Sequence, residues 1–162
     1  MQSKSETGNA KMQKKYRFNI TPVSAVRTVQ GDRIFFKIPK DKLRKDGLNR
    51  RNRIEKYNKY KVAVLAIAKQ MRFSPAEQGM HITFYLPVPK SLRTPQKIKL
   101  HMQLHRKRPD VDNMLKGFLD GLLVEDNFIG DVRVTKRWVN QETGYIEVIF
   151  NPPDQLSKDT LV

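Results

Sequence analysis

The sequence predicts one small α+β domain in which a mixed β-sheet packs against two main helices. Apolar residues alternate with polar ones in several short segments, which is typical of strands, and recur every three or four residues in two longer segments, which is typical of helices. The length of 162 residues suits a single domain. We expect this domain to span residues 16–151, between a flexible basic tail at 1–15 and a loose C-terminal tail at 152–162.

The first part of the chain is expected to consist of strands and loops. Alternation over residues 16–20 predicts a short strand. Residues 26–29 and 33–38 flank Gln30-Gly31-Asp32, which predicts a β-hairpin. Residues 40–53 are rich in Lys and Arg, and we expect them to form an exposed basic loop or a weakly helical arm inserted into the domain.

The first main helix is expected to run from Asn52 to the Ser74-Pro75 sequence, because a proline disfavours helix in the residue before it. Its predicted buried stripe has a helical period and consists of Tyr57, Tyr60, Val64, Ile67 and Met71.

The second half is expected to supply most of the sheet and the second main helix. Alternation predicts strands at 80–86, 132–138 and 146–150, the last two joined by a hairpin. A helical turn is expected at 94–101 and the second helix at 110–124. The predicted buried face of that helix comprises Val111, Leu115, Phe118, Leu119 and Leu122.

Composition excludes several classes of protein. The absence of cysteine excludes disulfide scaffolds, thiolate metal sites and cysteine nucleophiles. The longest apolar run, Val62–Ala68, is much shorter than the roughly 18 residues that a membrane span needs. Residues 1–15 lack the apolar stretch of a secretory signal, so we expect a soluble intracellular protein with no membrane partner.

The net charge of +16 is unevenly distributed along the chain. Residues 1–109 contain 27 Lys or Arg and 6 Asp or Glu, whereas residues 110–162 contain 5 and 10. A strongly basic protein attracts polyanions, of which nucleic acid is the commonest.

Six of the 16 acidic residues fall within 22 positions, and they are Asp110, Asp112, Asp120, Glu125, Asp126 and Asp131. Two carboxylates about 4 Å apart repel each other by about 4 kcal/mol at an effective dielectric constant of about 20. Such clusters are tolerated where a cation compensates, and carboxylate oxygens suit Mg²⁺ or Mn²⁺. The cluster therefore indicates a metal site able to act on a phosphodiester.

A structural explanation of the same residues stays open. Asp110 or Asp112 can cap the helix, and the spacing of Asp112, Lys116 and Asp120 by four residues allows a ladder of exposed ion pairs. In the catalytic interpretation, Lys116 instead stabilises the charge that develops during phosphodiester cleavage.

The sequence Arg-Pro-Asp-Val-Asp-Asn-Met-Leu-Lys at 108–116, followed by Glu125-Asp126 and by residues 132–136, resembles the RusA-like Holliday junction resolvases, which are crossover junction endodeoxyribonucleases. The resemblance extends from about residue 81 to 150 and is loose over residues 1–80.

The resemblance implies a homodimeric, Mg²⁺-dependent endonuclease that cuts four-way DNA junctions by paired symmetric nicks during recombination and repair, with Mn²⁺ as a substitute ion. It places the protein in the cytoplasm of a bacterial or phage-infected cell. It also assigns Asp110, Asp112 and Asp126 to the metal and Lys116 to catalysis. Glu125 stands where the family usually has aspartate, and the resemblance assigns it no role.

Basic side chains are expected to hold the DNA backbone without reading its sequence. They are Arg27, Arg50, Arg51, Arg53, Arg106, Lys107 and Arg108. Two other functions fit the same residues. One is a non-catalytic basic nucleic-acid-binding protein, and the other is a nuclease of the same chemistry acting on flaps, forks or other branched DNA.

Overall fold

The computed structural model describes residues 14–75, 79–122 and 129–150. Its strands are β1 (Lys15–Phe18), β2 (Met80–Pro87), β3 (Val132–Val139) and β4 (Tyr145–Phe150), and its α-helices are α1 (Arg33–Lys37), α2 (Lys45–Gln70), α3 (Thr94–Leu100) and α4 (Val111–Leu122). Two short 3₁₀ helices cover Gln30–Asp32 and Lys40–Lys42.

The four strands form one mixed sheet in the order β1-β4-β2-β3. Strand β2 lies parallel to β3 and antiparallel to β4, so that Ile82 faces Val134 on one side and Val148 on the other. Strand β1 pairs antiparallel with β4. The predicted α+β class with a mixed sheet is therefore confirmed.

Helices α2 and α4 share one apolar core with the sheet. Phe118 of α4 is fully buried, and its ring meets those of Phe18 and Phe84 edge-on, at centroid distances of 5.0 and 6.2 Å. Burying a side chain of this size contributes about 1.5–3 kcal/mol. Val64 of α2 is equally buried in the same core, so both helices are fixed relative to the sheet.

The predicted hairpin over residues 26–38 is wrong. The chain instead forms a 3₁₀ turn followed by α1. The carboxylate of Asp32 accepts a hydrogen bond from the Val29 N–H at 2.8 Å and a second from the Arg50 side chain. These contacts close a local turn, so the apolar residues of this segment do not enter the sheet.

The basic segment also differs from the expectation. Helix α2 begins at Lys45 rather than Asn52 and therefore includes residues 45–53. The N-terminal end of α2 packs on α1, because a Cβ atom at Gly47 would lie only 3.1 Å from the Phe35 ring. This contact, together with side-chain bonds from Arg51, stabilises a stretch that has no apolar period in the sequence.

The remaining helices and strands are confirmed within the described ranges, but Val111, which the helical period places on the buried face of α4, is exposed. The strands at 80–87, 132–139 and 145–150 and the helices at 94–100 and 111–122 lie where their patterns place them. The proposed tails fall almost entirely outside the described residues, so the domain limits stay a prediction. In the ranges that the structure covers, no helix is long and apolar enough to cross a membrane.

Candidate active site

The two acidic residues of the sequence motif lie at the start of α4. The Asp110 main-chain carbonyl accepts the Met114 N–H at 3.2 Å, which begins the helix. The side chains of Asp110 and Asp112 are both exposed. Neither carboxylate makes a hydrogen bond or an ion pair with another described residue, so their oxygens are available to a ligand.

A cleft of about 740 Å³ opens beside Asp110, between residues 23–27, helix α2 and the segment that precedes α4. We call it the first cleft. The charged side chains in its lining are Asp110, Arg27, Arg50, Arg53, Lys56 and Arg108. Five cations around one carboxylate create a positive potential, which favours a phosphate-bearing ligand close to that carboxylate.

A second cleft of about 780 Å³ continues along α4. Its lining includes Lys61 of α2 together with Lys116 and Asp120 of α4. The two clefts have Arg27 and Asn113 in common, so they form one groove along the exposed face of α4.

The chain segment 23–27 lines both clefts, and we call it the wall of the groove. It is attached directly to α4. The Ala25 N–H donates to the Asn113 carbonyl oxygen at 2.8 Å. A Cβ atom at Gly117 would lie 2.5 Å from the Val23 carbonyl oxygen. Only glycine at this position lets the segment approach the helix so closely, and the shape of the groove depends on that approach.

Arg50 also holds the wall, through the main chain of Arg27. Its guanidinium donates to both carboxylate oxygens of Asp32, at 2.9 and 2.7 Å, and to the Arg27 carbonyl oxygen at 2.5 Å. The hydrogen bonds from Arg50 and from the Val29 N–H lower the pKa of Asp32 to about 2. Arg50 therefore lines the first cleft while its donors fix the main chain that carries Arg27.

The Asp120 side chain is held by a hydrogen bond within the second cleft. The Tyr57 hydroxyl donates a short hydrogen bond to its carboxylate. Burial, and next to it this bond, raise the pKa of Tyr57 well above its ordinary value. No ion pair between Asp112, Lys116 and Asp120 occurs among the described residues, so the ladder that their spacing allowed does not form.

The structure brings together several residues that the sequence suggested. Arg27, Arg50, Arg53, Arg108 and Asp110 meet in the first cleft, and Lys116 lies in the second.

Other suggested residues lie apart. Asp112, Arg106 and Lys107 are exposed but do not line either cleft. Arg51 points to α1, where its guanidinium donates to the Phe35 and Ile38 carbonyl oxygens at 3.1 and 2.9 Å.

The expected metal ligands are only partly covered by the structure. Asp126 and Glu125 lie outside the described residues. Within the described ranges, no three Asp, Glu, His or Cys side chains are grouped closely enough to hold a metal ion. Asp110 and Asp112 thus stand as two carboxylates whose expected third partner lies in the undescribed stretch 123–128.

Lys56 and Lys61 are groove residues that the sequence reasoning missed. Lys56 follows Arg53 by three residues on α2, and residues so spaced share one side of a helix. That spacing was the sign in the sequence that Lys56 accompanies Arg53, but only the placement of residues 23–27 shows which side of α2 lines a cleft.

A small α+β domain that places an exposed carboxylate, Asp110, in a cleft lined by cations has the features of a protein that holds a polyanion next to an acidic group. Comparison with known families specifies the class further. The sequence matches the family described as endodeoxyribonuclease RusA over residues 36–149, more than two thirds of the chain. The chain belongs to this family of DNA-hydrolysing nucleases, and the matched range includes the basic segment 40–53. Searches of curated proteins and of solved structures gave no significant match.

Proposed function

We propose that this protein is a Mg²⁺-dependent endonuclease that resolves four-way DNA junctions by paired symmetric nicks, in DNA recombination and repair. One observation carries the proposal. Asp110, in the motif that opens α4, lies in the same cleft as Arg27, Arg53, Lys56 and Arg108. A strand bound by these cations would place a phosphodiester next to the carboxylate.

Asp110, Asp112 and Asp126 would hold the ion, with Mn²⁺ as a substitute. These residues suit the ion because they offer carboxylate oxygens, and Mg²⁺ prefers a few carboxylates together with water and phosphate oxygens. Asp110 and Asp112 are exposed and unengaged by the described part of the chain, as such ligands need to be. When bound, Mg²⁺ would lower the pKa of a water molecule and offset charge on the reacting phosphate.

The other groove residues would bind and orient the strand. Arg53 of α2 and Arg108, which precedes α4, both line the first cleft and would hold phosphates flanking the reacting one. Lys116 lies further along the same face of α4 and would stabilise negative charge that develops during cleavage. Arg27, whose main chain is held by Arg50, would contact the strand where the two clefts meet.

A homodimer would account for paired nicks. Two copies related by a two-fold axis present two identical sites, and a four-way junction has two opposed strands to cut. A single site cannot cut both strands at once.

The experiment that tests the proposal compares a labelled four-way junction with a linear duplex, with and without Mg²⁺. Asp112→Asn is expected to abolish cleavage, whereas junction binding in a gel shift without divalent ions persists or tightens, because a negative charge near phosphate is removed. Asp41→Asn is the matched control, because it removes another exposed carboxylate that lies outside both clefts. Binding that disappears together with cleavage would contradict the metal-ligand assignment.

The competing functions give different results in the same assay. Flaps and forks tested in parallel would identify a nuclease with another branched substrate if they are cut faster than the junction. Binding without cutting on every substrate, in Mg²⁺ and in Mn²⁺, would instead identify a non-catalytic nucleic-acid-binding protein.

A further inference from the structure

The chain that leads to Asp110 is fastened to the edge of the sheet. Residues 102–105 run along the outer side of β3, where the Met102 N–H donates to the Trp138 carbonyl at 2.9 Å and the Trp138 N–H donates to the Gln103 carbonyl at 2.9 Å. The His105 N–H then donates to the Lys136 carbonyl at 3.0 Å. The sheet therefore fixes the chain five residues before Asp110.

Side chains extend this attachment to the residue directly before Asp110. The Lys136 ammonium donates to the carbonyl oxygens of Lys107 and Pro109, at 3.0 and 2.5 Å. The Lys107 N–H donates to Nδ1 of His105 at 3.3 Å. The main chain of Lys107 is thus held at both its N–H and its carbonyl, and the carbonyl of Pro109 belongs to the peptide bond that leads into Asp110.

We propose that Lys136 is a positioning residue for cleavage, which fixes the main chain of residues 107–109 and so the place of the Asp110 carboxylate in the first cleft. The proposal rests on the proposed function, in which Asp110 holds the ion. Displacing a reacting group by about 1 Å can cost roughly 100-fold in rate. Two hydrogen bonds from an element of the sheet restrict such a displacement.

Lys136 is better suited to this role than to contact with DNA. Its side chain is partly buried, and two of its three donors are directed at main-chain carbonyls. It does not line either cleft, whereas Arg108, two residues before Asp110, does. A change at Lys136 should therefore affect the cleavage rate rather than the electrostatic part of binding.

The test uses Lys136→Met, which removes the donors, and Lys136→Arg, which keeps both charge and donors. Arg133→Met is the matched control, because it removes one exposed positive charge from the same strand outside both clefts. Lys136→Gln is a milder variant for use if the methionine protein does not fold, as judged by circular dichroism. Each protein is measured for its single-turnover rate on the four-way junction with Mg²⁺, its junction affinity and salt dependence without divalent ions, and its rate of trypsin cleavage after Arg106 and Lys107.

Lys136→Met is expected to lower the single-turnover rate at least 10-fold, with affinity changed less than 3-fold and the salt dependence unchanged. Trypsin should cut after Arg106 and Lys107 at least 5-fold faster. Lys136→Arg should recover most of the rate, and Arg133→Met should behave as the wild type in all three measurements.

Two results would overturn the proposal. An unchanged trypsin rate would show that Lys136 does not hold the segment. Faster trypsin cleavage with an unchanged single-turnover rate would show that the attachment does not position Asp110. If the wild type cuts no junction, the proposed function has failed, and the trypsin measurement still decides whether Lys136 fixes residues 107–109.

Discussion

Replacing Gly117 by alanine should destabilise the protein, because α4 and the wall of the groove are in contact at this glycine. The added Cβ atom would lie 2.5 Å from the Val23 carbonyl oxygen and 2.9 Å from the Ala25 nitrogen, whereas ordinary contacts begin at 3.4 Å. Both obstructing atoms belong to the main chain and cannot rotate away. The wall must therefore move by almost 1 Å, which weakens the hydrogen bond from Ala25 to the Asn113 carbonyl.

The magnitude follows from three contributions. Overpacking costs about 1–3 kcal/mol. The weakened main-chain hydrogen bond costs about 1 kcal/mol more. Alanine recovers about 1 kcal/mol through its higher helix propensity. We therefore expect Gly117→Ala to lower the free energy of unfolding by about 1–3 kcal/mol, which corresponds to about 2–4 °C in Tm for each kcal/mol in a domain of this size.

Urea denaturation followed by the fluorescence of the single tryptophan, Trp138, measures this change. Gly31→Ala is the matched control, because a Cβ atom there meets no atom within 4 Å. Gly121→Ala should fall between the two, since its Cβ would lie 3.0 Å from Cβ and Cγ1 of the buried Val64, a smaller overlap than the one at Gly117. If Gly117→Ala unfolds at the same urea concentration as Gly31→Ala, the wall does not depend on this contact and the reasoning is refuted.

Three further predictions follow from the same region. Tyr57→Phe removes the hydrogen bond to Asp120 and should lower the free energy of unfolding by about 1–2 kcal/mol in urea; equal stability would show that the bond contributes nothing. Because the pKa of Asp32 falls from 3.8 to about 2 on folding, its contribution to stability is complete above about pH 4 and is lost as the pH falls towards 2. Arg50→Met should flatten that acidic part of the stability profile in part, because the Val29 N–H still donates to Asp32, and a profile that stays the same would show that Arg50 does not contribute to it. Arg53→Gln and Lys56→Gln should each reduce the salt dependence of junction binding by about one phosphate contact. Arg51→Gln should instead lower the stability of the fold, because the Arg51 side chain donates hydrogen bonds within it.

Much of the fold could be predicted because its core follows simple periods. The stripe from Tyr57 to Met71 and the alternating apolar residues of 80–86 pack in the shared core, as the pattern predicts, although Thr83 and Tyr85 on the other face of β2 are buried as well. The error at residues 26–38 has a different origin. Apolar residues around Gly31 also suit a hairpin, and the contact between Asp32 and Arg50, 18 residues apart in the chain, decides in favour of a turn and a helix.

Of the acids that the sequence suggested, Asp110 lines the first cleft and Asp112 lines neither cleft, whereas Asp126 lies outside the described residues. Asp110 belongs to a short motif whose residues are neighbours in the chain, so the sequence alone identifies it. The cleft around it depends on long-range contacts, such as the one between Ala25 and Asn113, which no local pattern records. The basic residues accordingly look alike in the sequence, and only the fold separates Arg53, which lines the cleft, from Arg51, which stabilises α1.

In the proposed function Asp110 must be placed accurately although its own side chain is weakly constrained, and the fold accounts for this. Asp110 is exposed and has no partner among the described residues, so it cannot fix its own position. Its surroundings are held from two sides, by Gly117 and Asn113 against the wall at residues 23–27, and by Lys136 against the segment at 107–109. Because α4 and β3 both pack in the core that contains Phe118, the main chain around Asp110 is held by that core, and in the proposed function its carboxylate would stay free to bind an ion.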